Sequence, residues 1–447
     1  MNIFFISLGC DKNLVDSENM LGILHENGYS ITDDEGMADI IIINTCCFIH
    51  DAKEESIQAI LEMARYKKTG KLKGLIVTGC LAERYKNEIL EEIPEVDALL
   101  GTASYAEIVQ VIEKVMYGKK ITYFADNNML PRINSKRILS TGAHYSYIKI
   151  AEGCDKHCTY CIIPKVRGNY RSRPIKDLID EATYLASQGI KELIIVAQET
   201  TLYGVDLYGK KTLPDLLNVL CKISGIEWIR ILYCYPEEIT PELIETISTE
   251  PKICNYLDIP IQHCSDRILK LMGRRTSKED IVNIINRLRD RIPNISLRTT
   301  LITGFPTETD EEHEELLSFI EDMRFDRLGV FTYSKEEDTP AALLKPQVLA
   351  KVKKQRQKEL MELQQSIVIE NSSSHIGSVF DVIIEGRIAD KDHVYVGRTY
   401  MDGPQVDGYI FINSEEELMS GDIIQAKVTG ANVYDLIGEI MEGSAKE

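Results

Sequence analysis

The sequence lacks two features that would place the protein in a membrane or on nucleic acid. It has no run of about 18 apolar residues, the length that a membrane-spanning helix needs. It also has no excess of basic residues, because 51 Lys and Arg stand against 70 Asp and Glu and give a net charge of −19. Such a chain is not expected to bind nucleic acid chiefly by neutralising phosphates.

The amino terminus lacks the pattern of a secretory leader. The first residues, MNIFFISLGCDKN, contain neither a basic segment before an apolar stretch nor a cleavage site after one. We therefore expect a cytoplasmic protein whose cysteines are thiols rather than disulfides. The chain has 11 of them: Cys10, Cys46, Cys47, Cys80, Cys154, Cys158, Cys161, Cys221, Cys234, Cys254 and Cys264.

Length and hydrophobic pattern divide the chain into three parts. At roughly 150 residues per domain, 447 residues predict about three domains. Residues 1–118 alternate between short apolar runs and amphipathic stretches, which predicts a doubly wound parallel sheet of the α/β class. Residues 119–143 show no period and are predicted to be a linker.

The remainder predicts two further domains. Residues 144–370 contain six more strand candidates separated by helices, which indicates a partial (β/α) barrel with its chemistry at the carboxyl ends of the strands. A helix from Pro346 to Ile369 closes this part, with the run Asn371–Ser374 expected to end it and Arg356 among its exposed residues. Short strands between Gly and Asp turns in residues 371–447 predict a small β-barrel.

One group of cysteines is close in sequence. Cys154, Cys158 and Cys161 have the spacing C-x3-C-x2-C directly after a predicted strand. Three thiolates on one loop can hold three irons of a cubane cluster and leave the fourth open to a small molecule. The alternative is a structural zinc site, but this needs a fourth ligand, and His157 lies at an awkward position between the cysteines.

Three other cysteines are distant in sequence but follow predicted parallel strands. Cys10, Cys46 and Cys80 each come at a strand's carboxyl end, so all three are expected at one edge of the sheet, where α/β proteins bind ligands. They could hold a second cluster, or could be three small buried hydrophobes. Cys47, next to Cys46, is a competing ligand. The other four cysteines are predicted to be packing residues.

These motifs resemble those of the radical S-adenosylmethionine (SAM) methylthiotransferase family over essentially the whole length. The matching segments are Ser7–Glu18, Asn44–Cys46, Thr78–Tyr85 and Ala197–Thr201. The resemblance implies a central radical SAM domain, a terminal TRAM barrel, two 4Fe-4S clusters on the six cysteines, and SAM as a cofactor. Three positions differ from the family pattern: Asp11 replaces a proline, Cys47 a small residue and Thr307 a glycine.

The resemblance also suggests contacts to SAM. The aromatic Tyr160, just before the third cysteine of the loop, is expected beside the adenine. Gln198 and Glu199 follow a predicted strand and are candidates for the SAM ribose or amino group, with solvation of a loop as the alternative. Gly304 could let the backbone approach the adenine. The basic series after the loop is predicted to be a solvated face, with a carboxylate partner as the alternative: Lys165, Arg167, Arg171 and Arg173.

Within the family, the chain is most similar to the branch that methylthiolates an aspartate of ribosomal protein S12, either free or on the small ribosomal subunit. That reaction implies an electron donor and a sulfur donor as further partners. The alternative is the branch that modifies tRNA adenosine, but residues 376–447 contain 5 Lys and Arg against 14 Asp and Glu, a net charge of −9. This charge favours a basic protein over tRNA. A different class of function would be a non-catalytic iron–sulfur protein.

Overall fold

The computed structural model describes residues 1–131, 136–389, 391 and 393–441. The chain divides into two compact units. Unit 1 consists of Met1–Ser140, Lys149–Arg173 and Ser334–Ala342, and unit 2 consists of Thr141–Ile148, Pro174–Tyr333 and Leu343–Glu447. Among the residues that the model describes, no helix combines the length and apolar character that a bilayer crossing needs.

Unit 1 is built on a six-stranded sheet in the order β2-β1-β3-β4-β5-β6, with all neighbouring strands parallel. The strands are β1 (Asn2–Ser7), β2 (Ser30–Thr32), β3 (Ile40–Thr45), β4 (Gly74–Gly79), β5 (Ala98–Leu100) and β6 (Ile121–Tyr123). The helices are α1 (Asp11–Glu26), α2 (His50–Ala64), α3 (Tyr66–Thr69), α4 (Cys80–Glu92) and α5 (Ile108–Met116).

Both faces of this sheet are buried along the isoleucine run Ile40–Ile43 of β3. Ile41 and Ile43 pack against the cluster formed by α2 and α4. Ile40 and Ile42 point to the other face and pack with α1 and α5. Successive residues of a strand face opposite sides, so a sheet with helices on both sides favours near-continuous apolar runs over alternating ones. The predicted doubly wound fold is confirmed.

The short strand β6 lies inside the segment predicted to be a linker. It pairs in parallel with β5, with Ile121 opposite Ala98. Its residues are exposed or half-buried, and three residues at a sheet edge carry too little periodicity to be recognised. Residues 132–135 of the predicted linker lie outside the described residues.

From Tyr145 onward the chain forms the second βα series. Its strands up to residue 332 are β7 (Tyr145–Lys149), β8 (Ala151–Glu152), β9 (Arg171–Ser172), β10 (Glu192–Val196), β11 (Trp228–Ile231), β12 (Ile253–Asp258), β13 (Ser296–Thr303) and β14 (Arg327–Thr332). Its helices are α6 (Ile163–Arg167), α7 (Ile175–Ser187), α8 (Val205–Tyr208), α9 (Leu213–Leu220), α10 (Pro241–Thr249), α11 (Asp266–Leu271), α12 (Lys278–Arg291), α13 (Asp310–Met323) and α14 (Ala350–Ser374).

The main sheet of unit 2 has the order β14-β13-β12-β11-β10-β7. Sequential strands are neighbours, as expected for a partial (β/α) barrel whose two end strands do not meet. The short strands β8 and β9 form a separate antiparallel pair in unit 1. The six strands predicted for this region are therefore found, and the predicted partial barrel is confirmed.

Helix α14 differs from its prediction in two ways. The helix runs from Ala350 to Ser374 rather than from Pro346 to Ile369, so it begins later than predicted and includes the run Asn371–Ser374, where Ser373 Oγ donates to Ile369 O at 2.7 Å. The expectation that Arg356 is exposed is wrong. Its side chain is buried and pairs with Glu308 at 2.8 Å and Asp310 at 2.7 Å.

The carboxyl-terminal strands close into a barrel in the order β15-β16-β17-β19-β18, as predicted. The strands are β15 (Val379–Arg387), β16 (Val394–Arg398), β17 (Ile410–Asn413), β18 (Ile423–Ala431) and β19 (Leu436–Ile440). Its interior is apolar and includes Val382, Ile384, Ile410, Ile412 and Ile424, all fully buried. Residues 442–447 of the predicted barrel domain lie outside the described residues.

Buried arginines connect this barrel to the sheet of unit 2 at the end where the strands begin. Glu192, the first residue of β10, accepts hydrogen bonds from Arg398 at 2.6 Å and Arg230 at 2.8 Å, and all three side chains are fully buried. Arg327, the first residue of β14, donates from Nε to Asp402 at 3.0 Å. Part of the barrel's acidic charge is thus neutralised inside the protein.

Candidate functional site

The first candidate ligands are Cys10, Cys46 and Cys80, here called the amino-terminal set. Cys46 directly follows β3, Cys80 is the first residue of α4 after β4, and Cys10 precedes α1 after β1. Because β1, β3 and β4 are adjacent and parallel, these three positions lie at one edge of the sheet. Cys10 and Cys80 also stand at helix N-termini, and burial raises the pKa of Cys80 while the charge of Arg167 opposes that shift.

The thiols of this set are close enough to influence one another. Burial raises the pKa of Cys46 to about 12, and the charges of Cys80 and Cys10 contribute to the shift. Gly9 allows this approach, because a Cβ at that position would lie 2.7 Å from Cys46 Cβ and 3.0 Å from its Sγ. A cation among these thiols would favour their deprotonated form.

Asn13 on α1 holds the loops that carry these cysteines. Its side-chain amide donates to Leu8 O and to Thr45 O, both at 2.9 Å. One buried side chain therefore ties the residues after β1 to the end of β3. The oxygen of the same side-chain amide accepts a hydrogen bond from Arg167.

Cys46 and Cys47 have different surroundings, which bears on the choice between them. Cys47 is fully buried in the apolar cluster that includes Ile41, Val77 and Leu81. Burial raises the pKa of both thiols, so the pKa does not distinguish them. The Cys46 side chain instead lies against Gly9, the residue that precedes Cys10. This arrangement supports Cys46 as the ligand and Cys47 as a packing residue.

The second set, here called the loop set, is Cys154, Cys158 and Cys161. Gly153 starts the loop with φ of +79°, and a Cβ there would lie 2.1 Å from the carbonyl oxygen of Asn169. The Cys154 amide donates to Gly168 O at 3.2 Å and the Cys161 amide to Cys158 O at 3.0 Å. Burial raises the pKa of Cys161, with further contributions from Cys158 and Cys154.

These donor sets fit an iron–sulfur cluster. Each consists of thiols alone, and His157, the candidate fourth zinc ligand, is exposed. In the described parts of the chain, no three His, Cys, Asp or Glu side chains form a group that could hold a single metal ion. A cubane takes one thiolate on each of three irons, so its ligands do not have to converge on one point.

The prediction that the basic residues after the loop form a solvated face is wrong for Arg167. Its side chain is 2% exposed, and its Nη1 donates to Asp16 at 2.7 Å and Glu152 at 3.3 Å. Its Nε lies 3.3 Å from Cys80 Sγ. Lys149, also buried, pairs with Asp16 and with Glu152 at 2.6 Å. All of these residues belong to unit 1.

Sequence reasoning had missed Asn13, Asp16 and Lys149. One signal was available, because Asn13 and Asp16 are three residues apart and lie on one face of α1. Both are buried. Their partner Arg167 is more than 150 residues away in the chain. Only the tertiary structure brings these groups together.

The predicted SAM contacts are divided between the units. Tyr160 is half-buried in the loop of unit 1. Gln198 and Glu199 follow β10, and Gly304 follows β13, so these three lie at carboxyl ends of strands in unit 2. The Glu199 carboxylate accepts the Thr201 amide at 2.9 Å. Their roles toward SAM stay predictions.

The loop after β13 contains one of the three positions that differ from the family pattern. Thr307, where the family has glycine, adopts a φ of +70°, a conformation that glycine reaches without strain. Arg267 holds it by donating to Thr307 Oγ1 at 3.1 Å and Thr307 O at 2.7 Å. At Gly304, a Cβ would lie 2.4 Å from Lys353 Cγ, so this glycine also makes room for α14.

Comparison with known families defines the class of the protein. Residues 148–320 match the radical SAM superfamily, residues 376–441 match the TRAM domain, and residues 2–101 match a family described as uncharacterized protein family UPF0004. The fold agrees with the structure of the radical SAM methyltransferase TsrM from Kitasatospora setae, at 12% identity and a TM-score of 0.57 over 76% of this chain and 74% of that one.

Curated relatives identify the family within that class. The ribosomal protein uS12 methylthiotransferase RimO of Lachnoclostridium phytofermentans is 63% identical over 438 residues, 98% of this chain and 99% of the relative. RimO of Acetivibrio thermocellus is 51% identical over 449 residues, 99% of this chain and 98% of the relative. The chain belongs to the RimO family of radical SAM methylthiotransferases.

Proposed function

We propose that this enzyme inserts a methylthio group at the β-carbon of an aspartate in ribosomal protein uS12. The observation that carries the proposal is the presence of two all-thiol sets in one unit of a chain that matches a RimO relative over 98% of its own length and 99% of the relative's. Methylthiolation requires both a radical at carbon and a source of sulfur. Two separate clusters can divide these tasks.

The loop set, Cys154, Cys158 and Cys161, is the proposed site of the 4Fe-4S cluster that binds SAM. When bound, this cluster supplies the electron for reductive cleavage of SAM, and hence the means to remove hydrogen from an unactivated carbon. Gly153 and the Gly168 carbonyl shape the loop, while Tyr160, Gln198, Glu199 and Gly304 are the proposed SAM contacts. An external electron donor is required.

The amino-terminal set, Cys10, Cys46 and Cys80, is the proposed site of a second 4Fe-4S cluster that handles sulfur. Gly9 makes room for Cys46, and Asn13 ties together the loops that carry Cys10 and Cys46. A sulfur donor is a further partner that this role requires. Because its substrate belongs to the ribosome, we place the enzyme in the cytoplasm.

The charge of the terminal barrel supports a basic protein substrate. Glu385, Asp402 and Asp407 are paired with arginines inside unit 2 and are not available to a partner. The run Glu415–Glu417 on the same barrel is exposed. An acidic surface attracts a basic ribosomal protein and repels the phosphates of tRNA.

The proposal is tested by offering both substrates to the reconstituted enzyme. The chain is loaded with iron and sulfide without oxygen and incubated with SAM and dithionite, together with uS12, small ribosomal subunits or tRNA. Mass spectrometry should find the methylthio group on an aspartate of uS12, whereas modification of tRNA alone would refute the proposal. Cys221→Ala, at a buried cysteine outside both sets, should retain activity that Cys158→Ala lacks.

A further inference from the structure

We propose that Arg167 is a positioning residue for the amino-terminal set. Its guanidinium donates an N–H···S hydrogen bond to Cys80, and this bond raises the reduction potential of the cluster held by Cys10, Cys46 and Cys80. The inference rests on the proposed function, because it takes that cluster as present.

The geometry fixes the direction of this hydrogen bond. Nη1 of Arg167 is held by Asp16 at 2.7 Å and by Glu152 at 3.3 Å, and Nη2 is held by the Asn13 side-chain oxygen. Because the guanidinium is planar, fixing both Nη atoms also fixes the direction of the Nε–H donor. That donor, Nε, lies 3.3 Å from Cys80 Sγ.

Other buried charges surround the Arg167 guanidinium. Arg167, Lys149, Asp16 and Glu152 form a group of two cations and two carboxylates, so their charges balance. Each of these side chains is at most 7% exposed. Burial raises the pKa of the Cys80 thiol, and both the charge of Arg167 and its hydrogen bond oppose that shift.

The same segment of chain also touches the loop set. Gly168, the residue after Arg167, accepts the Cys154 amide at 3.2 Å, and Glu152 lies two residues before Cys154. Displacing Arg167 would therefore alter the hydrogen bond to Cys80 directly, but would reach the loop set only through the backbone. This difference allows the two effects to be measured separately.

Hydrogen bonds to the sulfurs of an iron–sulfur cluster stabilise its reduced, more negative state. Loss of the Arg167 donor is thus expected to lower the potential of the amino-terminal cluster. Lysine at this position keeps the charge but loses the planar fork that aims a donor at sulfur. Arg167→Lys therefore separates hydrogen bonding from charge.

The test measures each cluster alone in the full-length chain. One background carries Cys154→Ala, Cys158→Ala and Cys161→Ala, and the other carries Cys10→Ala, Cys46→Ala and Cys80→Ala. Redox titration followed by electron paramagnetic resonance gives each potential. Arg167→Lys and Arg167→Gln should lower the potential in the first background and leave it unchanged in the second.

A matched control is Arg137→Gln, which removes another buried arginine of unit 1 that is paired with a carboxylate, Glu18 at 3.3 Å. It should leave both potentials unchanged. An equal shift in the control, or an unchanged potential in both Arg167 variants, overturns the inference.

A measurement on the unaltered arginine guards against variants that fail to fold. In protein labelled with ¹⁵N-arginine, the reduced amino-terminal cluster should show a weak ¹⁵N coupling in pulsed electron paramagnetic resonance. Absence of this coupling refutes the hydrogen bond while leaving the proposed function intact. If the amino-terminal set does not take up iron at all, the proposed second cluster and this inference both fail.

Discussion

The two cysteine sets of unit 1 differ in how the chain assembles them. The loop set comes from eight consecutive residues, Cys154–Cys161, whose turn depends on Gly153 and the carbonyl of Gly168. The amino-terminal set comes from three strands, and its geometry depends on the register of β1, β3 and β4. The loop set can be recognised from its sequence spacing, whereas the three thiols of the amino-terminal set come together only when the sheet forms.

The sharpest test of this comparison is to remove one thiol from each set. Cys158→Ala should abolish both SAM cleavage and methylthiolation. Cys80→Ala should abolish methylthiolation but keep most SAM cleavage, because the loop set remains complete. Each loss of activity should exceed the decrease of about 10- to 100-fold that follows when a residue hydrogen-bonded to a metal ligand is replaced. Release of 5′-deoxyadenosine and the product mass are the measurements; equal loss of both activities in Cys80→Ala would end the division of roles.

A change in unit 2 should destabilise the protein without affecting either set. Glu192→Gln leaves Arg398 and Arg230 buried without their shared carboxylate, at a cost of about 3–5 kcal/mol in the free energy of unfolding. Denaturant unfolding measures this cost, and iron per chain should stay at the wild-type value at low temperature. Loss of iron from the folded variant would contradict the independence of the sets from this network.

The same carboxylate predicts an acid response. Burial by itself raises the pKa of Glu192, but Arg398 and Arg230 outweigh it and hold the pKa at about 2, below its ordinary value of 4.5. A group whose pKa is lowered by folding stabilises the protein above its unfolded pKa and loses this effect as pH falls toward the folded value. The stability difference between wild type and Glu192→Gln should therefore shrink from pH 5 to pH 3. A constant difference would contradict the prediction.

Glycine substitutions test how local the loop set is. Gly153→Ala introduces a Cβ 2.1 Å from a backbone oxygen at a φ of +79°, so we expect about 1–3 kcal/mol of strain and loss of iron from the loop set. Gly28→Ala is the control, because its φ is +78° but no atom lies within 4 Å of the added Cβ. Iron analysis in the single-set backgrounds decides whether only the loop set responds.

The smallest expected effect concerns the neighbour of Cys46. Cys47→Ala should cost about 1 kcal/mol from lost packing in the apolar cluster and leave iron content and activity unchanged. Cys46→Ala should lose iron from the amino-terminal set. If Cys47→Ala instead loses that iron, the membership of the set has to be reassigned.

Sequence reasoning predicted the strands of both sheets well because buried parallel strands are short apolar runs. It missed the short edge strands β2 and β6 of unit 1, whose residues are exposed or half-buried, and it ended α14 at Ile369, short of Ser374. It placed Arg167 and Arg356 on solvated faces, because a charged side chain in a sequence carries no sign of its distant partners. Asp16 and Glu308 became visible as those partners only in the fold.

The sequence by itself determined the class of fold, the six candidate cysteines and the resemblance to methylthiotransferases, since these depend on periodicity, on the spacing within one loop and on which cysteines follow predicted strands. The tertiary structure decided which side chains surround each cysteine. It placed Cys47 in the core, Cys46 against Gly9, and the guanidinium of Arg167 on Cys80. Contacts between residues more than 80 positions apart are set by how strands and helices pack, and no local pattern specifies them.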